Sequence, residues 1–324
     1  MHTTFELQEF IEKAISELKY PDHPKRLYEP ITYIMNLGGK RLRPALVLLA
    51  AELFGGDLEE ALPAAMAIET FHNFTLIHDD IMDNAPLRRG KQTVHEKWGT
   101  NNAILSGDVM MVESNKELTK VKAAVLKQVL DTFNATAQGV CEGQQLDMEF
   151  ETRNDVSISE YIDMIRLKTA VLVGGAMKIG AIVGGATEKE ARLIYDFGEN
   201  LGIAFQLQDD ILDVYGDPEK FGKQVGGDII ANKKTFLLLK ALELAENSHL
   251  EKLHHWIKSE HFDSEEKVAE VKRIYNDLDI PSIARETMEQ YLDRALALFG
   301  QIEVTDEAKV NLLDLTHTLM AREY

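Results

Sequence analysis

Long helical runs are the feature that most constrains what this chain can fold into. Apolar residues recur with helical spacing through most of the sequence, in segments 42–53, 58–81, 121–138, 162–183, 188–214 and 234–245. Segments in which apolar and polar residues alternate, as they do in strands, are nearly absent. The pattern predicts an all-α fold of many helices.

The chain shows no sign of a division into separate domains. Its 324 residues can bury a large core, only eight are proline, and no linker rich in Pro, Gly or Ser interrupts it. We therefore predict a single domain covering residues 1–324.

The charge and the cysteine content of the chain limit the cellular compartment and the binding partners that we expect for the protein. A formal charge of −19 argues against nucleic acid, because binding a polyanion needs a broad basic surface. The single cysteine, Cys141, rules out an intrachain disulfide framework, and the N-terminal MHTTFELQEF lacks the basic and apolar regions of a signal peptide. The most apolar stretch, 170–186, is short for a membrane span and carries Lys178. We predict a cytoplasmic protein without stable membrane insertion, and a buried helix at 170–186.

Two aspartate-rich motifs with the same spacing end two of the helical runs. They are HDDIMD and QDDILD, with aspartates at Asp79, Asp80, Asp83, Asp209, Asp210 and Asp213. Helical spacing places the three carboxylates of each motif on one side, where like charges about 5 Å apart repel by a few kcal/mol unless a cation lies among them. Oxygen ligands of this kind suit Mg²⁺. Because 54 residues are acidic, a solvated acidic face is the alternative for either motif taken alone.

Clustered cations lie near these motifs or at helix boundaries. Lys40, Arg41 and Arg43 follow a diglycine turn and precede a helix start, an arrangement that can hold phosphate or form an ordinary basic loop. Arg88 and Arg89 can bind phosphate or pair with the nearby aspartates. Further polar candidates inside or beside apolar helices are His72, Gln144, Asp147, Lys168, Thr169, Gln206, Lys223, Lys233 and Lys234. Gln144, Asp147 and Gln206 either face a wet cavity or are paired internally. The alternative for His72 is a satisfied core histidine, and the alternative for each lysine is a solvated side chain.

Taken together, the motifs resemble those of the trans-isoprenyl diphosphate synthases, the polyprenyl synthetase family. The resemblance runs from about Gly38 to Thr235 and rests, in family order, on GGKRLRP, HDDIMDNAPLRRG, GQQLD, KT, FQLQDDILD and GKQVGGDI. It implies a single-domain bundle of long antiparallel helices around a central cavity, usually as a homodimer. It also implies head-to-tail condensation of isopentenyl diphosphate with an allylic diphosphate such as dimethylallyl, geranyl or farnesyl diphosphate.

The resemblance also implies roles for individual residues. The aspartates of both motifs would hold a cluster of Mg²⁺ ions bound with the allylic diphosphate, whose further ligands would be Arg88, Lys168, Gln206, Lys223 and Lys233. Isopentenyl diphosphate would be bound by Lys40, Arg43, His72 and Arg89. Thr169 would face the developing carbocation, and the catalytic set is Lys168, Thr169, Gln206, Lys223 and Lys233.

Product length is set in this family upstream of the first motif. Here Phe71, Phe74 and Thr75 occupy the relevant positions, a combination similar to that of synthases that stop at geranylgeranyl diphosphate (C20), with farnesyl diphosphate (C15) as the next possibility. The polar segment 112–122 departs from the apolar helix usual in the family, which bears on product length and on the dimer contact.

Three alternatives remain at this stage. A class I terpene cyclase also ionises an allylic diphosphate, but it needs neither a second diphosphate site nor GGKRLRP. A non-catalytic subunit of a two-chain synthase tends to lose its aspartate motifs, and both are intact here. A metal hydrolase could use His78, Asp79 and Asp80, although no further histidine cluster is evident.

Overall fold

The computed structural model of the chain describes residues 2–217 and 225–321, and it confirms the all-α fold class. The helices are α1 Thr4–Glu17, α2 Lys25–Met35, α3 Leu42–Leu53, α4 Leu58–Met82, α5 Val94–Trp98, α6 Thr100–Leu118, α7 Ala123–Thr152, α8 Ile158–Ile165, α9 Val171–Gly184, α10 Glu188–Tyr215, α11 Gly227–Ile230, α12 Phe236–Leu244, α13 Asn247–Lys258, α14 Ser264–Asp277, α15 Ile280–Gly300 and α16 Asp306–Met320. A π-helix, Arg166–Ala170, joins α8 to α9. In the described residues the strands are β1 Leu87–Arg88 and β2 Lys91–Gln92, paired antiparallel with Leu87 opposite Gln92.

Every predicted helical segment is helical, and the boundaries follow local chemistry. Asp57 caps α4 by accepting hydrogen bonds from the backbone N–H groups of Glu59 and Glu60, which are orphan donors at a helix start. Ser157 and Glu160 form a reciprocal capping box at the start of α8. The main difference is length, because the helix predicted for 121–138 continues to Thr152.

Two compact units account for most contacts within the chain. The first comprises Met1–Asn134, Gly175–Ile194 and Glu303–Leu313. In it α4 packs chiefly against α3 and α6, and α3 is buried along nearly its whole length. The second comprises Ala135–Gly174, Tyr195–Ile302 and Asp314–Tyr324, and its core includes Phe150, Leu207 and Tyr275. That the chain forms one domain remains a prediction.

Arg41 belongs to the core of the first unit and not to an open phosphate-binding loop, which corrects the interpretation of the KRLR cluster. Its guanidinium is 4% exposed and pairs with Glu69 at 2.6 Å and with Glu12 at 2.7 Å, while it also donates to the carbonyl of Met35. A charge removed from water needs such partners, since desolvation otherwise costs several kcal/mol. Arg41 is therefore structural.

The apolar segment around 170–186 behaves as a core helix. The run Ile158–Gly184 has the length and hydropathy of a membrane span, but 61% of its most apolar window is buried within the protein. The prediction of a buried helix is confirmed.

Candidate active site

The first aspartate motif lies at the C-terminal end of α4, and its carboxylates have different environments. Asp79 is half-buried and Asp83, the C-terminal cap, is exposed, whereas Asp80 is 1% exposed. Asp80 accepts a forked pair of hydrogen bonds from Arg88, at 2.9 Å from Nε and 2.7 Å from Nη2. The expectation that all three carboxylates share one side was wrong, because 100° of helical rotation per residue turns Asp80 toward the interior.

Arg88 is thus a structural partner of an aspartate, one of the two roles considered for it. The bidentate pair fixes the guanidinium plane beside the end of α4 and satisfies a buried carboxylate. Its predicted contact with the allylic diphosphate is a separate question and stays a prediction.

The cations predicted to bind isopentenyl diphosphate gather around the diglycine turn of the first unit. Gly38 and Gly39 have φ of +78° and +140°, which side chains rarely adopt. Arg89 donates to the carbonyl of Gly38, and a Cβ on Gly39 would lie 2.8 Å from the Arg89 guanidinium. The missing side chain therefore makes room for Arg89, and exposed Lys40 follows directly.

Arg43 and His72 lie in contact, with Nη1 of the arginine 3.2 Å from Nε2 of the imidazole. Burial, and the charges of Arg43, Arg89 and Arg88, hold the pKa of His72 well below its usual range. The imidazole is therefore neutral near pH 7 and accepts a hydrogen bond from Arg43. The structure thus joins Arg43 to His72 directly, and it places Lys40 and Arg89 at one turn.

The second aspartate motif, in α10 of the second unit, again has a buried middle member. Asp210 is 4% exposed and accepts hydrogen bonds from the Tyr161 hydroxyl, from Gln206 Nε2 at 3.3 Å and from the Phe236 N–H at 3.3 Å. Burial is the main reason that the pKa of Asp210 is raised to about 7. Asp209 and Asp213 are half-buried, and Asp213 accepts a hydrogen bond from the Asp228 N–H at 3.0 Å.

Most of the predicted catalytic residues of the second unit line one small cavity. It has a volume of about 50 Å³, and its walls include Asp147, Tyr161, Lys168, Thr169, Gln206, Asp210, Lys233 and Thr235. Lys168 Nζ lies 2.5 Å from Asp147, and the Thr169 hydroxyl donates to Gln206 Oε1 at 3.4 Å. Lys168, Thr169, Gln206 and Lys233 are therefore brought together, while Lys223 falls outside the described residues.

The π-helix is what positions Lys168 and Thr169. A Cβ on Gly143 of α7 would lie 2.1 Å from the backbone nitrogen of Lys168, and one on Gly202 of α10 would lie 2.6 Å from Cα of Ala170. The backbones of α7 and α10 therefore contact the backbone of the π-helix directly, and only glycine at these two positions permits so close an approach. Single π-turns of this kind are frequently found at functional sites.

The predicted chain-length residues form an aromatic group in the first unit. Phe74 is half-buried, with its ring centroid 5.6 Å from that of Phe71 and 4.7 Å from that of His78. Phe71 is fully buried and packs edge-on against Phe133 at 5.4 Å. The Thr75 hydroxyl donates to the carbonyl of His72 at 2.8 Å. His78 also contacts the carbonyl of Ile104 at 3.2 Å, so its ring is engaged with α6 and Phe74.

The donor set suits a hard cation that keeps waters or phosphate oxygens in its shell. Among residues 2–217 and 225–321, no three Asp, Glu, His or Cys side chains converge tightly enough to form a closed metal cage. Within each unit two carboxylates lie one helical turn apart, Asp79 with Asp83 and Asp209 with Asp213, and either pair alone would leave most of a cation's coordination shell to other ligands. This is how Mg²⁺ commonly binds beside phosphates.

Tyr161 was absent from the predicted candidates, and Asp147 was among them without an assigned role. Tyr161 binds Asp210, and Asp147 binds Lys168. Asp147 had a signal, a carboxylate within the helical motif GQQLD. Tyr161 had none, because a tyrosine in an amphipathic helix looks like an ordinary core residue.

Comparisons with known proteins agree with this geometry. The sequence model of the polyprenyl synthetase family matches residues 24–278. The chain is 46% identical to a geranylgeranyl diphosphate synthase of Methanosarcina mazei over 72% of each protein. It is 38% identical to a geranylgeranyl pyrophosphate synthase of Geoglobus acetivorans, over 97% of this chain and 96% of the relative. A crystal structure of a geranylgeranyl pyrophosphate synthase superposes with a TM-score of 0.95, at 45% identity and covering 100% of both chains. The fold is that of a head-to-tail prenyltransferase, and this chain belongs to the polyprenyl synthetase family.

Proposed function

We propose that the enzyme condenses isopentenyl diphosphate with allylic diphosphates in the presence of Mg²⁺ and releases mainly geranylgeranyl diphosphate. The observation that carries the proposal is the presence of two distinct cationic groups, one in each unit. Lys40, Arg43, His72 and Arg89 form the first, and Lys168, Gln206 and Lys233 form the second. A reaction between two diphosphate esters requires two such groups.

In the first group, a neutral His72 accepts one N–H of Arg43 and orients the remaining donors of that guanidinium. Arg89 is held over the diglycine turn, which Lys40 directly follows in the chain. Fixed arginine forks match diphosphate oxygens in geometry as well as charge. We assign this group to isopentenyl diphosphate.

We assign the second group to the allylic diphosphate, because its polar side chains line one cavity. Asp147 holds the Lys168 ammonium, and Gln206 links Thr169 to Asp210. Thr169 and Gln206 present oxygen dipoles that stabilise an allylic cation, while Lys168 and Lys233 face the leaving diphosphate. We assign Arg88 and Lys223 to the same diphosphate on the basis of their family motifs.

The carboxylates that would hold Mg²⁺ are Asp79, Asp83, Asp209 and Asp213. When bound, the metal neutralises the charge that grows on the departing diphosphate. Asp80 and Asp210 have a different role in this proposal, because each is buried and bound to protein donors. In this proposal they hold Arg88 and Tyr161 in place, whereas the sequence motif alone predicts them as metal ligands.

The proposal is tested by incubating purified protein with isopentenyl diphosphate and, separately, dimethylallyl, geranyl and farnesyl diphosphate, then sizing the products. We expect C20 product that requires Mg²⁺ and is abolished by EDTA. Asp83→Ala and Asp209→Ala should each lower turnover by orders of magnitude with an unchanged circular dichroism spectrum, because Asp83 is exposed and Asp209 is only half-buried. Near-normal turnover in either variant would refute the metal assignment.

We also propose that the enzyme is a cytoplasmic homodimer. Along α6 the side chains of Ile104, Leu105 and Val112 are 39%, 56% and 58% exposed, an unusual apolar surface for one helix. A second copy covering this face would remove it from water. Light scattering coupled to size exclusion should give twice the 36.5 kDa chain mass, and a monomer at micromolar concentration would contradict the proposal.

A further inference from the structure

A second, much larger cavity lies in the second unit, apart from the residues assigned to catalysis. Its volume is about 880 Å³, and it is bounded by α12, α13 and the segment before α8. One wall is apolar and includes Val156, Ile158, Leu239 and Leu242. Cavities of roughly 300 to 1,000 Å³ commonly accommodate small organic ligands.

Basic side chains also line the cavity, which is unexpected in a chain with a net charge of −19. Lys234, His254 and Lys258 all line the cavity, and the last two are one turn apart on α13. Within the described residues none of the three forms an ion pair. The carboxylate of Glu243, also in the lining, is held by Lys240 at 3.0 Å.

Lys234 is the cation with most to gain from an anionic ligand. It is half-buried, and burial lowers the pKa of its ammonium even though Glu151 opposes the shift. An anion placed beside a partly desolvated ammonium recovers electrostatic energy that water no longer supplies.

We propose that this cavity binds a prenyl diphosphate as a regulatory ligand, with the diphosphate at Lys234 and Lys258 and the prenyl chain along the apolar wall. The inference rests on the proposed function, because the enzyme's own product is an anionic amphiphile of this shape. An apolar wall joined to a cationic rim matches both ends of such a molecule.

One short stretch of backbone, residues 233–235, connects the large cavity to the small catalytic cavity. Lys233 and Thr235 line the small cavity that contains Lys168 and Asp210, whereas Lys234 between them lines the large one. The segment is short and tied at both ends, since the Lys233 N–H donates to the Asp228 carbonyl at 2.9 Å and Thr235 caps α12. An anion that draws Lys234 outward therefore displaces Lys233, and turnover falls without competition for the allylic site.

Ligand binding to the large cavity is tested by calorimetry on the full chain in EDTA, which removes metal-dependent binding of diphosphates at the catalytic site. The probes are geranylgeranyl diphosphate below its micelle concentration, palmitate and inorganic diphosphate. We expect one site for geranylgeranyl diphosphate, weakened roughly tenfold or more by Lys234→Ala or Lys258→Ala. The matched control is Lys252→Ala, which removes the same charge from α13 at a lysine paired with Glu270 at 3.3 Å. It should leave affinity unchanged.

Equal affinities in all three variants, or no binding in EDTA, would overturn the inference. Inorganic diphosphate or palmitate binding as tightly as geranylgeranyl diphosphate would overturn the assignment to a prenyl diphosphate. In Mg²⁺, added geranylgeranyl diphosphate should lower the maximal rate of the parent at saturating allylic substrate, and Lys258→Ala should relieve that effect. Binding without any prenyltransferase turnover would refute the proposed function, whereas turnover without metal-independent binding would refute only this inference.

Discussion

Replacing Phe74 by alanine should lengthen the product by about one isoprene unit. The ring centroids of Phe74 and Phe71 are 5.6 Å apart. An isoprene unit extends a chain by about 5 Å, close to the rise of one helical turn. Removing the outer ring therefore opens space for about one more unit and leaves Phe71 as the next barrier. The double variant Phe71→Ala/Phe74→Ala should admit further units.

The two positions should differ in their effect on stability. Phe71 is fully buried and packs on Phe133, so Phe71→Ala should lower the free energy of unfolding by about 3 to 5 kcal/mol. Phe74 is half-buried, so its replacement should cost less. Thermal melts must accompany the assay for this reason.

The assay is chromatographic sizing of products from farnesyl and isopentenyl diphosphate. Turnover should persist in Phe74→Ala, since the aspartate motifs and cations are untouched. Thr75→Phe is the converse variant and should shift products toward C15 by filling the space above. Stable Phe74→Ala protein with the parental product distribution would refute the reasoning, and the polar segment 112–122 would be the next candidate.

Other expected outcomes follow from the same contacts. Arg89→Ala should mainly raise the KM for isopentenyl diphosphate, and Arg88→Ala should mainly impair use of the allylic substrate. Each loss should be about 1.5 to 3 kcal/mol in kcat/KM. Equal effects of both variants on both substrates would refute the assignment of the two arginines to different diphosphates. Glu69→Ala leaves buried Arg41 without one of its carboxylate partners and should destabilise the protein by about 3 to 5 kcal/mol in denaturant titrations. The side chain of Glu12 is 47% exposed, so Glu12→Ala should cost under about 1 kcal/mol. Similar losses in the two variants would contradict the burial argument. The folded state depresses the pKa of His72, so the free energy of unfolding should fall as pH drops below about 6.5, where the unfolded chain takes up the proton first. His72→Asn should flatten this dependence of stability on pH. An unchanged slope in that variant would argue against a depressed pKa of His72.

Much of the fold was predictable because local rules act along helices. The 3.6-residue apolar period located the long helices, and the predicted start and end of the helix at 42–53 match those of α3. The length of α7 was less predictable, since its second half carries polar residues such as Asp147, which lines the small cavity of the second unit. The π-turn at Arg166–Ala170 has no local signature, because it depends on glycines of two other helices approaching its backbone.

The sequence by itself determined the all-α class, the two aspartate motifs and the residue types of a diphosphate chemistry, because these follow from periodicity and from motifs short enough to read directly. Only the tertiary structure decided which charges serve the fold. Arg41 and Arg43 are two residues apart, yet the first is buried against Glu69 and the second contacts His72. Asp79 and Asp80 are adjacent, yet only Asp80 is enclosed by Arg88. Side chains close together in the sequence point in different directions and meet different parts of the structure, so packing decides which charges pair.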